Sequence, residues 1–217
     1  MNKPVIIGNA TLYLGDARDF IDEINAAHSI VSDPPYGMAF RSNYRKEQYA
    51  DIANDDDETM LLWACNLRPS HSSYLFCRWD NLASVPKPKS CLTWVKDNHS
   101  MGDLEHELGR QTEIALFYPG PEHDWPTKRP TDVIRCPRTG NGHHPTEKPV
   151  QLMRAIIEWT RVTVADPFMG SGSTGVACVS LNRPFIGVEI NEDYFDIACK
   201  RIEDAQRQGD MFIEAAA

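Results

Sequence analysis

A glycine-rich turn between an apolar run and a helical pattern constrains the fold of this chain most strongly. The segment Val162–Gly175 leads from a β-branched stretch into Gly170, Gly172 and Gly175, which have the spacing G-x-G-x-x-G. A second apolar run ends at Glu189, about twenty residues further on,. This order is the dinucleotide fingerprint of an α/β sheet and, taken alone, favours a nicotinamide or flavin enzyme. No lysine follows Gly175, which argues against a Walker-type phosphate loop,.

Short apolar runs alternate with helical patterns along the rest of the chain. Runs rich in β-branched or aromatic residues predict strands at 11–14, 29–31, 74–76, 92–95, 114–118, 162–165 and 185–188,. Apolar residues at helical spacing predict helices at 58–67, 150–160, 173–181 and 193–206,. Such alternation predicts a sheet with helices on both faces. With 217 residues, 41% of them hydrophobic, we expect one core and a single domain over 1–217,.

Two segments do not fit this alternation. Residues 37–57 are polar and carry a run of acids, and residues 119–149 contain seven prolines. Both are predicted to be long loops, and long loops in a compact domain usually serve function.

The charge balance limits how the chain can meet nucleic acid. A formal net charge of −9 argues against a protein that coats DNA, because non-specific affinity comes from neutralising phosphates,. A local contact is still compatible with two basic stretches in the long loops, although solvated surface charge explains each stretch equally well. Their members are Arg41, Arg45 and Lys46, and Lys128, Arg129, Arg135 and Arg138.

Cysteine spacing and hydropathy indicate the type of environment. The six cysteines never occur as Cys-x-x-Cys, so reduced core thiols are expected and no metal site is predicted,. No apolar run approaches the roughly 20 residues of a membrane span, and the first residues do not resemble a signal peptide,. We therefore expect a cytoplasmic protein without membrane contact.

An acid before the glycine turn changes the cofactor prediction. Asp166 lies four residues before Gly170, where its carboxylate suits an ammonium group better than a pyrophosphate,. S-adenosylmethionine carries such an ammonium, together with an adenosine whose ribose Glu189 could bind. A simple turn residue before Pro167 is the alternative for Asp166.

The tetrapeptide Asp33-Pro-Pro-Tyr36 follows the apolar run 29–31. Pro34 and Pro35 fix the backbone, so the Pro34 carbonyl and the Asp33 carboxylate form a pair of acceptors suited to the two hydrogens of an amino group. Tyr36 offers an aromatic face for an unstacked base. A proline-rich turn that ends a strand is the plainer interpretation.

Three motifs in this order resemble the amino-group DNA methyltransferases of the permuted β group. They are Asp33–Tyr36, His144–Pro149 and Asp166–Thr174, and the likeness extends from Asp16 to about Arg201. The resemblance implies an α/β fold with a doubly wound, seven-stranded, mostly parallel sheet of the S-adenosylmethionine-dependent methyltransferase type, circularly permuted. The strand ending near Asp16 would then neighbour the Glu189 strand, and the Asp33 strand would lie on the other side of the Val162–Ala165 strand.

The resemblance also implies roles for individual residues. The expected catalytic residues are Asp33, Pro34, Pro35 and Tyr36. Asp16 would contact the cofactor's adenine, Phe168 would line its pocket, and Thr146 and Lys148 would lie near its carboxylate. The full expected cofactor set is Asp16, Thr146, Lys148, Asp166, Phe168, Gly170, Gly172, Ser173, Thr174 and Glu189.

The expected reaction is direct methyl transfer to the exocyclic amine of adenine in DNA, with the target base flipped out of the helix. Many relatives carry a large recognition region where this chain has only residues 119–143. Recognition would then fall to residues 122–138 and the loop after Tyr36, both flanking the mouth of the active site, or specificity would be short and relaxed, or a partner would supply it. A cytosine amino methyltransferase, an RNA or nucleotide substrate, a nicotinamide oxidoreductase and a silent DNA-binding module are the alternatives. The sequence leaves the oligomeric state open, a homodimer included.

Overall fold

The computed structural model describes residues 3–37, 53, 55–97, 105–106, 108–139 and 147–214. The strands in this part of the chain are β1 Val5–Ile7, β2 Ala10–Leu14, β3 Ser29–Ser32, β4 Ser72–Cys77, β5 Ser90–Val95, β6 Thr112–Pro119, β7 Val133–Arg135, β8 Val164–Asp166 and β9 Phe185–Glu189. The α-helices are α1 Ile21–Asn25, α2 Thr59–Cys65, α3 Val150–Ile157, α4 Ser173–Ser180 and α5 Glu192–Glu214. Two 3-10 helices cover Ala17–Phe20 and Trp79–Ala83.

All of these strands form one mixed sheet in the order β1-β2-β9-β8-β3-β4-β6-β5-β7. The central strands β2, β9, β8, β3 and β4 are parallel neighbours. Leu14 pairs with Glu189 and Ile30 with Ala165, so β2 and β3 lie on the predicted sides of β9 and β8. The α/β fold and the spatial order predicted for the permuted sheet are therefore confirmed.

The described sheet has nine strands where seven were expected. The first additional strand, β1, has only three residues and reaches β2 through a two-residue turn in which Gly8 has φ +53°,. The second, β7, lies inside the predicted loop 119–149, pairs with β5 and forms one edge of the described sheet. Three residues are too few to show a period, so both strands depend on pairing with a neighbour.

Alternate residues of the strands pack on opposite faces of the sheet. On one face Val31 and Phe76 join a cluster with α3, α4 and α5. On the other face Ile30 and Leu75 join a cluster with α1 and α2. The parallel strands are therefore covered on both faces, and their carboxyl ends remain as the edge where loops can build a site.

The helices, metal-ligating side chains and cysteines bear on the expected environment. No helix within the described ranges is long and apolar enough to cross a membrane. Among the same residues, no group of three or more His, Cys, Asp or Glu side chains is placed to hold a metal ion. All six cysteines are free thiols, and four of them are buried.

Candidate active site

The carboxyl ends of β2, β9, β8 and β3 surround an open cleft of about 1090 Å³. Most residues predicted for the site line this cleft, although they come from distant parts of the chain. Those lining it are Asp16, Asp33, Pro34, Pro35, Tyr36, Lys148, Asp166, Phe168, Gly170, Ser173, Thr174 and Glu189. Gly172 is not among the lining residues, and Thr146 lies outside the described residues.

The tetrapeptide is held at the end of β3 by side chains from other segments. Asp55 Oδ1 accepts hydrogen bonds from the backbone N–H groups of Tyr36 at 3.2 Å and Gly37 at 3.0 Å. The Asn81 side chain donates to the Tyr36 carbonyl at 3.3 Å. Pro34 is buried, and Tyr36 is half-buried against the second hydrophobic cluster. These contacts fix the backbone that carries the predicted catalytic groups.

The two oxygens of Asp33 differ in their surroundings. Oδ2 accepts a hydrogen bond from the Lys148 ammonium. Oδ1 is buried and has no hydrogen-bond partner among the described residues. Burial raises the pKa of Asp33, while the Lys148 charge opposes that rise. Asp33 therefore lines the cleft beside Pro34 and keeps one buried acceptor oxygen without a partner among the described residues.

Asp166 joins three elements at the floor of the cleft. Its Oδ1 accepts from the Ser32 hydroxyl at 2.5 Å and from the Phe168 N–H at 3.1 Å, and its Oδ2 accepts from the Thr174 hydroxyl at 2.5 Å. Burial raises the pKa of this carboxyl to about 6, although these hydrogen bonds oppose the rise. Asp166 thus ties β8 to β3 and α4, in addition to lining the cleft.

Glu189 at the end of β9 is oriented by two backbone donors. Oε2 accepts from Gly170 N and Oε1 from Asn191 N, each at 2.8 Å. Burial raises the pKa of the carboxyl. Each oxygen keeps a second lone pair, so the oriented carboxylate can still accept hydrogen bonds from ribose hydroxyls.

The three glycines of the turn serve different purposes. Gly170, with φ +51°, donates its N–H to Glu189. A Cβ on Gly172 would lie 2.9 Å from the Ala198 Cβ, and one on Gly175 would lie 2.4 Å from the Ile202 Cδ1. The second and third glycines therefore allow α5 to approach α4, and the cofactor contact expected of Gly172 stays a prediction.

Several other side chains shape the cofactor end of the cleft. Asp16 accepts hydrogen bonds from Arg18 N and Nε, both at 2.9 Å, and Arg18 lowers the pKa of this carboxyl. Phe168 meets Trp63 edge-on with ring centroids 5.9 Å apart. The Ser173 hydroxyl at the start of α4 is buried and has no hydrogen-bond partner within the described ranges. An apolar ring, a free hydroxyl and an oriented carboxylate together fit an adenosine group.

Lys148 has contacts that the sequence did not indicate. Its ammonium lies against Asp33 and is 3.4 Å from Glu113 Oε2, and Lys96 in turn pairs with Glu113. The carboxylates of Asp33 and Glu113 raise the pKa of Lys148 against the opposing effect of burial. The ion-pair partners of Lys148 among the described residues are therefore Asp33 and Glu113.

The predicted basic residues divide between the two ends of the sheet. Gly120 N donates to His71 O and Glu122 N to Ser70 O, which places this stretch at the amino end of β4, opposite the cleft. The chain then returns through Lys128 and Arg129 to β7, which runs parallel to β5 toward the cleft end. The expectation that all of 122–138 flanks the mouth is therefore wrong: only its later part, with Arg135 and Arg138, reaches that end. Arg41, Arg45 and Lys46 lie outside the described residues.

Sequence reasoning missed several residues that support the site. Asp55 belongs to a run of acids in a predicted loop, and Glu113 directly precedes the strand predicted at 114–118, so neither carried a motif. Tyr194 of α5 lines the cleft, and Arg201 of α5 donates to Glu147 Oε1 at 2.6 Å. No local signal could identify these residues, because each acts through a contact with a distant segment.

Comparisons with known proteins agree with this geometry. Residues 121–200 match the family model N6_N4_Mtase, described as DNA methylase. The DNA adenine methyltransferase YhdJ of Escherichia coli (strain K12) is 39% identical over 94% of this chain and 86% of its own length. The alternative of a nicotinamide oxidoreductase is not supported by these likenesses.

Two solved structures have the same fold. The crystal structure of an M1.HpyAVI–SAM complex matches with a TM-score of 0.67 and 26% identity, over 89% of this chain and 98% of that one. The PvuII DNA methyltransferase, described as cytosine-N4-specific, matches with a TM-score of 0.68 and 15% identity over 95% of each chain, a likeness of fold alone. From the matched motifs, the permuted sheet and these relatives, the chain belongs to the amino-group DNA methyltransferases.

Proposed function

We propose that this protein transfers a methyl group from S-adenosylmethionine to the exocyclic N6 amine of adenine in DNA. The observation that carries the proposal is the buried Asp33 Oδ1, which has no partner among the described residues and lies in the same cleft as Glu189. An amino group entering the cleft would supply the donor that this oxygen lacks.

S-adenosylmethionine is the cofactor, and its sulfonium supplies an electrophilic methyl group when it is bound. The Glu189 carboxylate accepts hydrogen bonds from the ribose, and Phe168 packs against the adenosine. Ser173 offers its hydroxyl, and Asp166 places negative charge in the part of the cleft that would receive the ammonium. These assignments are supported by the position of each group on the cleft.

Asp33 and Pro34 orient the amine for attack. With both of its hydrogens held by Asp33 Oδ1 and the Pro34 carbonyl, the nitrogen directs its lone pair toward the methyl donor. The ionised Asp33 also stabilises the positive charge that develops on nitrogen during transfer. No covalent intermediate is needed, so no cysteine takes part.

The target base leaves the DNA helix to reach this cleft. Unstacking a base costs roughly a few kcal/mol. Stacking of the base in the pocket and hydrogen bonds to the pocket offset this cost. Tyr36 lies beside the catalytic acceptors and provides the aromatic surface for the flipped base,.

Adenine is the proposed base because an enzyme described as a DNA adenine methyltransferase is 39% identical to this chain. Cytosine is the alternative, since its amino group suits the same pair of acceptors and the family model covers both chemistries. The two substrates differ in ring size and in the remaining contacts of the pocket.

Base analysis after methylation tests the proposal. DNA is incubated with the protein and methyl-labelled S-adenosylmethionine and then digested to nucleosides. We expect the label on the amino group of deoxyadenosine, and single-stranded RNA treated in parallel should carry much less. Label found mainly on deoxycytidine would overturn the choice of base and leave the family assignment unchanged.

A further inference from the structure

Four charged side chains of alternating sign extend from the catalytic aspartate into the protein. Asp33 pairs with Lys148, Lys148 with Glu113, and Glu113 with Lys96. We call these four residues the charge chain. Lys148 is 6% exposed and Lys96 is 7% exposed, so both ammonium groups are almost fully removed from solvent.

The charge chain joins segments that are far apart in sequence. Asp33 follows β3, Glu113 lies on β6, Lys96 follows β5, and Lys148 comes just before α3. The Lys148 ammonium also lies 5.2 Å from the centroid of the Phe76 ring on β4. A buried ammonium is stable only where carboxylates compensate its charge, so the position of Lys148 depends on Asp33 and Glu113.

We propose that Lys148 is a positioning residue for methyl transfer, which holds Asp33 ionised and turns its free oxygen toward the substrate amine. The proposal rests on the function proposed above. Because Lys148 occupies Oδ2, the oxygen that has no partner among the described residues is Oδ1. Glu113 and Lys96 then hold the Lys148 ammonium in place from behind.

The proposed role of Asp33 requires the ionised form, because a protonated carboxyl differs from it in hydrogen bonding and in charge. A neutral Asp33 would carry a hydroxyl donor and would no longer oppose the positive charge developing on the amine. Burial favours this neutral form, as do the nearby carboxylates, and Lys148 opposes it. The ionisable groups that act on Asp33 or respond to it are Lys148, Glu113, Asp55, Tyr36, Cys77 and Asp166.

The first measurement is the pKa of Asp33 in the free protein, which needs no catalysis. Carboxyl ¹³C resonances of labelled aspartate are titrated by NMR, and the Asp33 signal is identified by its loss in Asp33→Asn. We expect Lys148→Met to raise the Asp33 pKa by about 1 to 3 units, because an opposite charge in contact is lost. Lys148→Arg should restore much of the difference.

Two further variants test the opposite direction of the Asp33 pKa shift and provide a control. Glu113→Gln removes a like charge, and Lys148 then pairs with Asp33 only, so this variant should lower the Asp33 pKa. Lys96→Met removes an equally buried ammonium at the far end of the charge chain, so it should shift the pKa much less than Lys148→Met. If Lys148→Met does not fold, the pair Lys148→Met with Glu113→Gln removes one charge of each sign and should still raise the pKa.

The second measurement is kcat for DNA methylation as a function of pH. Activity requires ionised Asp33, so it is present above the Asp33 pKa and lost as the pH falls through it. In Lys148→Met this acid limb should move to higher pH by about 1 to 3 units, with little change in S-adenosylmethionine affinity. An unchanged pKa and acid limb with weakened cofactor binding would overturn the proposal and make Lys148 a cofactor ligand. Absence of methylation by the unsubstituted protein would instead reject the proposed function, while the NMR titration would still decide the role of Lys148.

Discussion

At the residue scale, the site combines groups that are satisfied by the protein with groups that are not. Asp166 and Glu189 are oriented by donors from neighbouring segments, and this fixes where their charges lie. Asp33 Oδ1 and Ser173 Oγ, in contrast, are buried without partners among the described residues. Buried polar atoms without partners are rare in folded proteins, and here both lie on one cleft.

Asp33→Ala should abolish methyl transfer while leaving cofactor binding nearly intact. The acceptor for the amine is lost, and removal of one such group commonly lowers kcat by about 100-fold or more. Single-turnover kinetics would measure the loss, and calorimetry would measure S-adenosylmethionine affinity. Asp33→Asn is the matched control, because it keeps one acceptor oxygen without the charge. Its turnover should lie between those of the unsubstituted protein and Asp33→Ala. Substantial turnover by Asp33→Ala would remove this residue from the mechanism.

Asp166 should make the protein less stable as the pH rises from about 4 to about 6. Its pKa is raised to about 6 in the folded state, so the folded protein binds more protons than the unfolded chain in this range,. The contribution is roughly 3 kcal/mol at most, since each pKa unit corresponds to about 1.4 kcal/mol. Urea unfolding at several pH values should show a weaker dependence in Asp166→Asn. Identical pH profiles for the two proteins would contradict the raised pKa.

At the element scale, the cofactor turn depends on the helix behind it. Gly172 and Gly175 allow α4 and α5 to pack closely, and Arg201 of α5 donates to the Ser171 carbonyl at 2.7 Å. The long helix α5 therefore supports the turn through its packing against α4 and its contact with Ser171. A pattern that resembles a ligand-binding signature is in part a helix-packing signature.

Gly175→Ala should destabilise the fold through this packing. The added Cβ would lie 2.4 Å from the Ile202 Cδ1 and 2.8 Å from the Phe185 Cε1, and overpacking of this kind commonly reduces stability by about 1 to 3 kcal/mol,. Chemical denaturation would measure the loss. Ile202→Val removes the closest atom, so it should be less harmful in the Gly175→Ala background than alone. Additive effects of the two substitutions would argue against the contact.

The division of the basic residues predicts which of them meet DNA. Arg135 and Arg138 are exposed near the cleft end of the sheet, whereas Lys128 and Arg129 are exposed before β7, toward the other end. Replacing Arg135 and Arg138 by alanine should reduce the slope of log affinity against log salt by about 1 to 2, since each phosphate contact contributes about 0.9. Replacing Lys128 and Arg129 is the matched control and should leave the slope nearly unchanged. The reverse pattern would place the DNA surface elsewhere.

At the scale of the whole molecule, one sheet combines strands from early and late parts of the sequence. β8 and β9 come late in the sequence and lie between β2 and β3, which come early. The glycine turn and the tetrapeptide Asp33–Tyr36 thus meet at neighbouring strand ends although more than half the chain separates them. We expect residues 1–217 to unfold as one unit, because the shared sheet makes neither half complete alone.

The sequence by itself determined the motifs and the central strands, because both depend on local patterns. Asp33–Tyr36, Asp166 and Glu189 are recognisable from spacing, and the runs of apolar residues predicted the strands that carry them. The order of the motifs, through its resemblance to the permuted β group, also predicted that β2 and β3 lie beside β9 and β8.

Only the tertiary structure decided the contacts between distant segments. In the folded protein Lys148 pairs with Asp33, Gly172 and Gly175 pack against α5, and β7 forms at an edge of the sheet. The fold also places Lys128 and Arg129 apart from Arg135 and Arg138. A lysine between prolines, a glycine or a three-residue strand has the same local sequence whatever it meets. The order of strands in the sheet determines which partner each residue meets. Burial then increases the energetic weight of that contact, because no solvent is left to satisfy the charge or the polar group.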